Sequence, residues 1–250
     1  MDTIGTIKTS VTNVSSFCRW FVPAMQDVTS GAPKDYSGRA NNLSIGANTN
    51  DATIWASAGF VTCTDATSQD KTVYQPSGKL NWQGNAGNSL LLVAQLKIPT
   101  PASTKRFFGD RSSGNGIGFE ADNTGKIQLV LRDGITSYTS GFGTVAVCDG
   151  NLHTVILYVD GIGKTASCWV DGTLLSQLTS ANVATSLVGS TISTNPFGYG
   201  SDGAPTGGFT VGSQWRNLHA YVYPYAIQNI TNLVTRLNKD PFKPLTSLEL

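Results

Sequence analysis

Hydrophobic residues are concentrated in two segments, 152–159 and 165–170, which predict the arms of one β-hairpin. Both segments are rich in β-branched and aromatic residues, and an Asp-Gly-Ile-Gly tract with turn composition separates them. One register makes a whole face apolar; its pairs are Val155 with Val170, Leu157 with Cys168, and Val159 with Ala166. A slip of one residue would move Thr154 and Tyr158 onto that face, so the pattern favours a single register. The opposite face is mixed, which suits a sheet surface that is partly covered or meets a ligand.

Other segments of the chain predict strands, turns and one helix. Residues 90–98 are apolar almost without interruption, which predicts a central strand buried on both faces. Segments 116–121 and 126–132 predict a second hairpin, joined by the turn 122–125. Near the end of the chain, an apolar stripe at helical spacing predicts one short helix; its members are Ile227, Ile230, Leu233, Val234 and Leu237. Residues 178–208 have no clear period and predict a long surface excursion.

Many short strands and a single late helix predict an all-β fold, a two-sheet antiparallel jelly-roll sandwich with one short C-terminal helix. The chain has 250 residues, a length that a single β-sandwich commonly reaches. Residues 1–30 are interpreted as an N-terminal arm or as the first strand of the sandwich. Residues 31–250 are interpreted as one jelly-roll domain that includes the C-terminal helix and tail.

Charge and cysteine content exclude several classes of function. The chain has 17 basic and 16 acidic residues and a net charge of +1, so neither nucleic acid nor an anionic membrane is a predicted partner. No apolar run approaches the roughly 20 residues of a membrane helix, and the start of the chain has no secretory signal pattern. We therefore expect synthesis in a cytoplasm. The four cysteines follow no zinc or redox spacing and are interpreted as buried free thiols; they are Cys18, Cys63, Cys148 and Cys168.

Four short segments carry motifs at predicted turns and strand ends: DYSGRANNLSIGA at 35–47, GFEADNTGKIQLVLRDG at 118–134, DGNLHTVILYVDG at 149–161 and CWVDGTLL at 168–175. In this order and spacing they resemble the laminin-G-like branch of the concanavalin A-like lectin and glucanase superfamily. The positions that match its Asp-x-Ser-Gly-x-x-Asn, DG-x-x-H and VDG motifs are Asp35, Ser37, Gly38, Asn41, Asp149, Gly150, His153, Val170, Asp171 and Gly172. The resemblance covers about residues 31–235 and implies the concanavalin A-like sandwich.

The end of the chain carries a second resemblance. A predicted helix followed by LNKDPFKPL at 237–245 is similar to the ending of laminin-G-like proteins that bacteriophages encode among their structural genes. This resemblance implies a non-enzymatic virion protein, either a capsid decoration or a tail or fibre component, made in the host cytoplasm. Its expected partners are other virion proteins and cell-surface or environmental glycans, and a homo-oligomer is compatible with that role. Two alternatives stay open: a stand-alone carbohydrate-binding lectin and a glucanase-like glycoside hydrolase.

Glu120 and Asp122 are the closest pair of acidic residues that a glucanase of this superfamily could use. Retaining glycosidases need two carboxyls about 5 to 5.5 Å apart, but Asp122 enters a turn and no third acid follows on the strand. We interpret the pair as a solvated hairpin end and predict no enzymatic activity. His153 occupies the DG-x-x-H position, where the resemblance implies a packing role at the start of a strand; a ligand-binding role is the alternative.

A sugar site usually offers an aromatic platform beside polar side chains, because a pyranose has an apolar face and a polar rim. The candidate glycan-binding residues are Tyr158, Trp169, Asn195, Tyr199, Asp202 and Trp215. Some laminin-G-like domains bind calcium, which requires hard oxygen ligands. By that resemblance Asp110, Asp122 and Asp133, at predicted strand ends, are the calcium candidates, and solvated loop aspartates are the favoured alternative. No other cofactor is predicted.

Overall fold

The computed structural model of the chain consists of strands and one helix in the part that it describes. The described residues are 16–22, 35–39, 44–45, 55–56, 60–62, 73–74, 87–109, 115–133, 137–178, 198–199, 212–246 and 249. The strands are β1 Cys18–Val22, β2 Ser44–Ile45, β3 Trp55–Ala56, β4 Phe60–Thr62, β5 Val73–Tyr74, β6 Ser89–Lys97, β7 Lys105–Gly109, β8 Asn115–Ala121, β9 Ile127–Asp133, β10 Ser137–Thr139, β11 Leu152–Asp160, β12 Thr165–Val170, β13 Thr173–Leu178, β14 Gly198–Tyr199 and β15 Gln214–Tyr223; the helix, α1, is Ile230–Lys239.

The strands form two antiparallel sheets. In the eight-stranded sheet the order is β13-β12-β11-β6-β15-β4-β3, and β1 also pairs with β15. In the seven-stranded sheet the order is β10-β9-β8-β7-β14-β5-β2. Apolar residues of both sheets share one core, so the sheets pack face to face as a sandwich. This architecture, with one short C-terminal helix, confirms the predicted all-β class and two-sheet antiparallel arrangement.

The hairpins and the central strand form as the hydrophobic pattern predicts. Strands β11 and β12 pair with Leu157 opposite Cys168, so the predicted register is confirmed. Strand β6 lies between β11 and β15 and is buried along all but its last residue, as expected of a continuous apolar run. Strands β8 and β9 pair with Ala121 opposite Ile127, which confirms the second hairpin.

The outer face of the eight-stranded sheet is covered by α1. Leu233, Val234 and Leu237 of the helix are buried in a second apolar cluster, which includes Ile156 and Tyr221 of the sheet. This packing places the apolar stripe of the helix against the sheet. The eight-stranded sheet therefore has no bare face over its central strands, because the seven-stranded sheet covers the other side.

The helix is shorter than the predicted stripe. The Asn229 side chain accepts a hydrogen bond from the Asn232 amide at 3.4 Å, which is the usual contact of an N-cap asparagine. Ile227 precedes the helix, yet it packs against the same apolar cluster as the helix does.

Arg236 holds the tail after α1 in place through an ion pair and main-chain hydrogen bonds. Its Nε lies 2.6 Å from Glu249 Oε1, and its guanidinium also donates to the Lys243 carbonyl at 2.6 Å. Leu245 is buried, and its amide donates to the Tyr221 hydroxyl at 2.8 Å. The tail therefore belongs to the same outer layer as the helix.

Strand β1 is held by the first sequence motif. It pairs antiparallel with β15, and Asp35 Oδ1 accepts a hydrogen bond from the Phe21 amide at 3.0 Å. Arg39 Nε donates to the Cys18 carbonyl at 2.7 Å. Side chains of the DYSGR segment thus form hydrogen bonds with main-chain groups of β1 that are not bonded to β15. Within the predicted region 1–30, Cys18–Val22 is a strand of the sandwich.

Some predictions fall on residues outside the described ones. The excursion predicted over 178–208 is described only at its start and in β14. Cys18, Cys148 and Cys168 are buried thiols that form no disulfide, as predicted, whereas Cys63 lies outside the described residues. Among the residues that the structure describes, no helix has the length and apolarity of a membrane span.

Candidate functional site

The structure buries two of the six glycan candidates. Trp215 is 2% exposed and lies in the core between the sheets. Tyr158 is 5% exposed and belongs to the cluster under α1, where its hydroxyl accepts a hydrogen bond from the Ile227 amide at 2.8 Å. Neither ring has a face open to a sugar, so both are removed from the candidate site.

Three further glycan candidates have no described side chain. Asn195 and Asp202 lie outside the described residues, and Tyr199 lies on β14, where only its backbone is described. The same holds for two of the calcium candidates, because Asp110 is outside the described residues and Asp133 is described only as the end of β9.

Asp122, the remaining calcium candidate, forms hydrogen bonds within the turn in which it lies. Its Oδ1 accepts hydrogen bonds from the Thr124 amide and hydroxyl, each at 2.8 Å, and from the Lys126 amide at 3.0 Å. Desolvation acts to raise the pKa of Asp122, but the hydrogen bonds from Thr124 and Lys126 outweigh it, so the pKa lies below its usual value. In the described part of the chain, no three His, Cys, Asp or Glu side chains are grouped to hold a metal ion.

Glu120, the acid that the enzymatic alternative requires, lies on β8 opposite Gln128 of β9. Its Oε2 accepts a hydrogen bond from Gln128 Nε2 at 3.0 Å. Since Asp122 is bound into the β8–β9 turn, the two acidic residues have separate local partners.

Trp169 is the glycan candidate whose described side chain reaches solvent. It lies on β12, next to the edge strand β13, and is partly buried against the cluster under α1. Its cross-strand partner is Leu174, which is 50% exposed. The indole is therefore anchored on one side and extended by an exposed aliphatic side chain on the other.

Polar residues occupy neighbouring positions on the same strand and on the adjoining strand. Asp171 follows Trp169 by two residues, and its side chain is 52% exposed. On β13, Gln177 is exposed, and its Nε2 donates to the Ser167 hydroxyl at 3.1 Å.

The last turn of α1 reaches the same place. A Cβ on Gly172 would lie 3.2 Å from Asn238 Nδ2, so this amide lies against the turn that carries Asp171. We call the resulting group the Trp169 surface; it consists of Trp169, Asp171, Leu174, Gln177 and Asn238.

The DG-x-x-H and VDG motifs meet beside this surface. His153 Nδ1 lies 2.6 Å from Asp171 Oδ2, and its Nε2 lies 3.1 Å from Asp149 Oδ1. Asp171 Oδ1 accepts a hydrogen bond from the Thr154 amide at 2.9 Å. With φ values of 51° and 81°, Asp171 and Gly172 have the left-handed backbone of the turn that commonly joins two strands through Asp-Gly.

The electrostatics of this contact favour a charged imidazole. Burial acts to lower the pKa of His153, but the hydrogen bonds and charges of Asp171 and Asp149 outweigh it and raise the pKa above its usual value. The Asn151 amide and side chain, together with His153, lower the pKa of Asp149 to about 2. Both partners of the His153 to Asp149 contact are therefore ionised over a wide range of pH.

Sequence reasoning identified only part of the Trp169 surface. Trp169 was a candidate, and Asp171 was visible as part of the VDG motif, on the same mixed face of the predicted hairpin. Leu174, Gln177 and Asn238 carried no comparable signal, because the strand order and the placement of the helix bring them to Trp169.

The sequence matches no protein-family profile and no curated protein. Its fold does match solved structures. The binding domain of botulinum neurotoxin DC, solved with rat synaptotagmin II, gives a TM-score of 0.66 at 7% identity, over 91% of this chain and 52% of that one. A structure of botulinum neurotoxin type C gives 0.61 at 7% identity, over 92% and 53% of the two chains.

A sialidase from Trypanosoma rangeli, solved with the inhibitor DANA, gives a TM-score of 0.56 at 15% identity, over 88% of this chain and 32% of the enzyme. The present chain spans about half the length of the two neurotoxin chains. At such low identity the likeness concerns the fold alone. The chain therefore has the antiparallel β-sandwich fold that its sequence predicted, and no relationship to the laminin-G family or to bacteriophage proteins is shown.

Proposed function

We propose that this chain is a non-enzymatic, glycan-binding β-sandwich and that the Trp169 surface is its binding site. The observation that carries the proposal is a partly exposed indole on β12, with a carboxylate two residues further along, one amide on the adjoining strand β13 and a second amide against the β12–β13 turn. The apolar face of a pyranose would stack on Trp169 and Leu174. Its hydroxyls would exchange hydrogen bonds with Asp171, Gln177 and Asn238, which supply both donors and acceptors.

Two of the fold neighbours support a glycan ligand. Botulinum neurotoxin type C is described as entering cells through interaction with two ganglioside molecules, and the DC binding domain has been solved with SialylT. These facts concern those proteins, and they support a glycan ligand for this chain only as a proposal. A non-enzymatic role is supported by Glu120 and Asp122, because each carboxylate is bound to a local partner.

Replacing Trp169 with alanine is expected to weaken glycan binding by more than about tenfold, as the loss of a central aromatic contact typically does. The measurement is a glycan array, followed by titration of the best ligand. Trp169→Phe should keep part of the affinity, because it keeps a ring. Val145→Ala, at a 61% exposed position outside the Trp169 surface, is the matched surface control. Wild-type affinity in Trp169→Ala, or hydrolysis of the bound glycans, would contradict the proposal.

We further propose that this domain is carried on a bacteriophage virion, as a capsid decoration or a tail or fibre component. The support is the resemblance of the 237–245 segment to the ends of phage structural proteins, a segment that is folded onto the sheet here. Mass spectrometry of purified particles is expected to detect the chain in stoichiometric amounts. Its presence only in the soluble fraction of the lysate would favour the stand-alone lectin.

A further inference from the structure

His153 connects two turns that lie far apart in the sequence. One turn contains Asp149 and precedes β11, and the other contains Asp171 and joins β12 to β13. Each ring nitrogen of His153 lies within hydrogen-bonding distance of one carboxylate oxygen. An ionised carboxylate only accepts hydrogen bonds, and a histidine ring carries N–H on both nitrogens only when it is protonated. The geometry is therefore that of an imidazolium between two carboxylates.

The Asp171 carboxylate is held by this contact and by one main-chain amide. Its backbone has a φ of 51°, and its two oxygens are held by the Thr154 amide at 2.9 Å and by His153 at 2.6 Å. When the ring is neutral, one nitrogen presents a lone pair to a carboxylate, and the other makes a hydrogen bond without charge assistance. Charge-assisted hydrogen bonds are roughly twice as strong as neutral ones. Loss of the proton thus loosens the carboxylate that belongs to the Trp169 surface.

We infer that His153 is a positioning residue for glycan binding: its protonated ring fixes the Asp171 carboxylate, so affinity at the Trp169 surface falls when the ring loses its proton. The inference rests on the proposed function. It names a residue that does not itself belong to the Trp169 surface.

The charged residues on the neighbouring elements include Lys97 on β6, Asp122 in the β8–β9 turn and Lys239 on α1. On β6, His153 lies opposite Leu96, and Lys97 lies opposite Leu152, the neighbouring residue. Burial, Asp149 and Asp122 of the β8–β9 turn raise the pKa of the Cys148 thiol, the residue before Asp149. Lys239 at the end of α1 is exposed.

The direction of the pH effect follows from the two carboxylates. They raise the pKa of His153 above its usual value despite its partial burial. The ring is therefore charged at and below about pH 6.5, the ordinary histidine pKa, and neutral only above the raised pKa. Asp149 has a pKa of about 2, so it stays ionised throughout this range. Affinity should be highest on the acidic side and should fall as the pH rises through the pKa of His153.

The test compares glycan binding with the titration of one residue. The chain has two histidines, and burial lowers the pKa of His219 to about 3, so only His153 should titrate in NMR spectra near neutral pH. An array of uncharged glycans is read from about pH 6 to about pH 9, which brackets ordinary and raised histidine pKa values. Binding is expected to weaken by about fivefold, the difference between a charge-assisted and a neutral hydrogen bond. Its midpoint should coincide with the titration of the His153 ring.

Two variants separate positioning from a merely structural role. Asp149→Asn removes one charge from the ring, so the midpoints of binding and of the NMR titration should both move to lower pH. His153→Gln has no titrating group and should give affinity that is constant over the same range. Binding that is independent of pH while His153 titrates would overturn the inference and leave the proposed function intact. Absence of binding to every glycan at every pH would overturn both.

Discussion

Replacing Leu157 with alanine is expected to lower the free energy of unfolding by roughly 2 to 5 kcal/mol, as large-to-small changes in a core do. Leu157 is 1% exposed and lies on the face of β11 that packs between the two sheets. A small cavity already exists at this place; its lining residues are Leu92, Ala94, Leu96, Phe119, Val155 and Leu157. The truncation would enlarge this void, because paired strands on both sides can close it only in part.

Thr154→Ala is the matched control on the same strand. Thr154 lies on the opposite face and is 5% exposed, and its hydroxyl accepts one long hydrogen bond, 3.4 Å, from Gln95 Nε2. Thr154→Ala should lower the free energy of unfolding by less than half as much as Leu157→Ala does. Denaturant titration of the two variants measures the difference. Equal losses would contradict the assignment of the β11 faces.

The parts of the fold that the sequence predicted are those set by local pattern. The β11–β12 register follows from alternation within twenty residues, and a single slip would expose a whole apolar face. The α1 stripe is likewise complete within one segment, so it could be recognised without knowledge of its partner. The edges and order of the sheets depend instead on pairings between distant segments, such as β6 with β15.

The burial of Trp215 has a particular physical reason. Strand β15 changes register between Arg216 and His219, so the alternation of its faces is interrupted by a bulge. Trp215 and Leu218 both lie in the core between the sheets, although three positions separate them. Simple alternation along the strand therefore could not show which aromatic side chains face inward.

The burial of Tyr158 has a different physical reason. Tyr158 lies on the mixed face of β11, which the pattern allowed to be either covered or open to a ligand. The helix covers Tyr158, whereas Trp169 on the neighbouring strand is covered only in part. The distinction depends on where a helix some seventy residues further along the chain packs, and no local pattern contains that information.

Replacing Gly161 with alanine is expected to destabilise the protein by about 3 kcal/mol or more, at the upper end of the cost of overpacking a buried position. Gly161 is buried at the end of β11, and its amide donates to the Ser89 hydroxyl at 3.3 Å. A Cβ at this position would lie 1.9 Å from the Asn88 carbonyl oxygen and 2.7 Å from its carbon. Those atoms are backbone and lead directly into the central strand β6, so neither side of the contact can move without disturbing strand pairing.

Gly150→Ala separates this close approach from backbone strain. Gly150 has a φ of +83°, and nothing lies within 4 Å of a Cβ placed there. Its substitution should therefore cost only the left-handed strain, about 1 to 2 kcal/mol. Thermal and denaturant unfolding of the two variants, measured side by side, gives the comparison. If Gly161→Ala proved no more damaging than Gly150→Ala, the β11–β12 turn could not be packed on the start of β6. The glycine of the YVDG segment would then serve the turn alone.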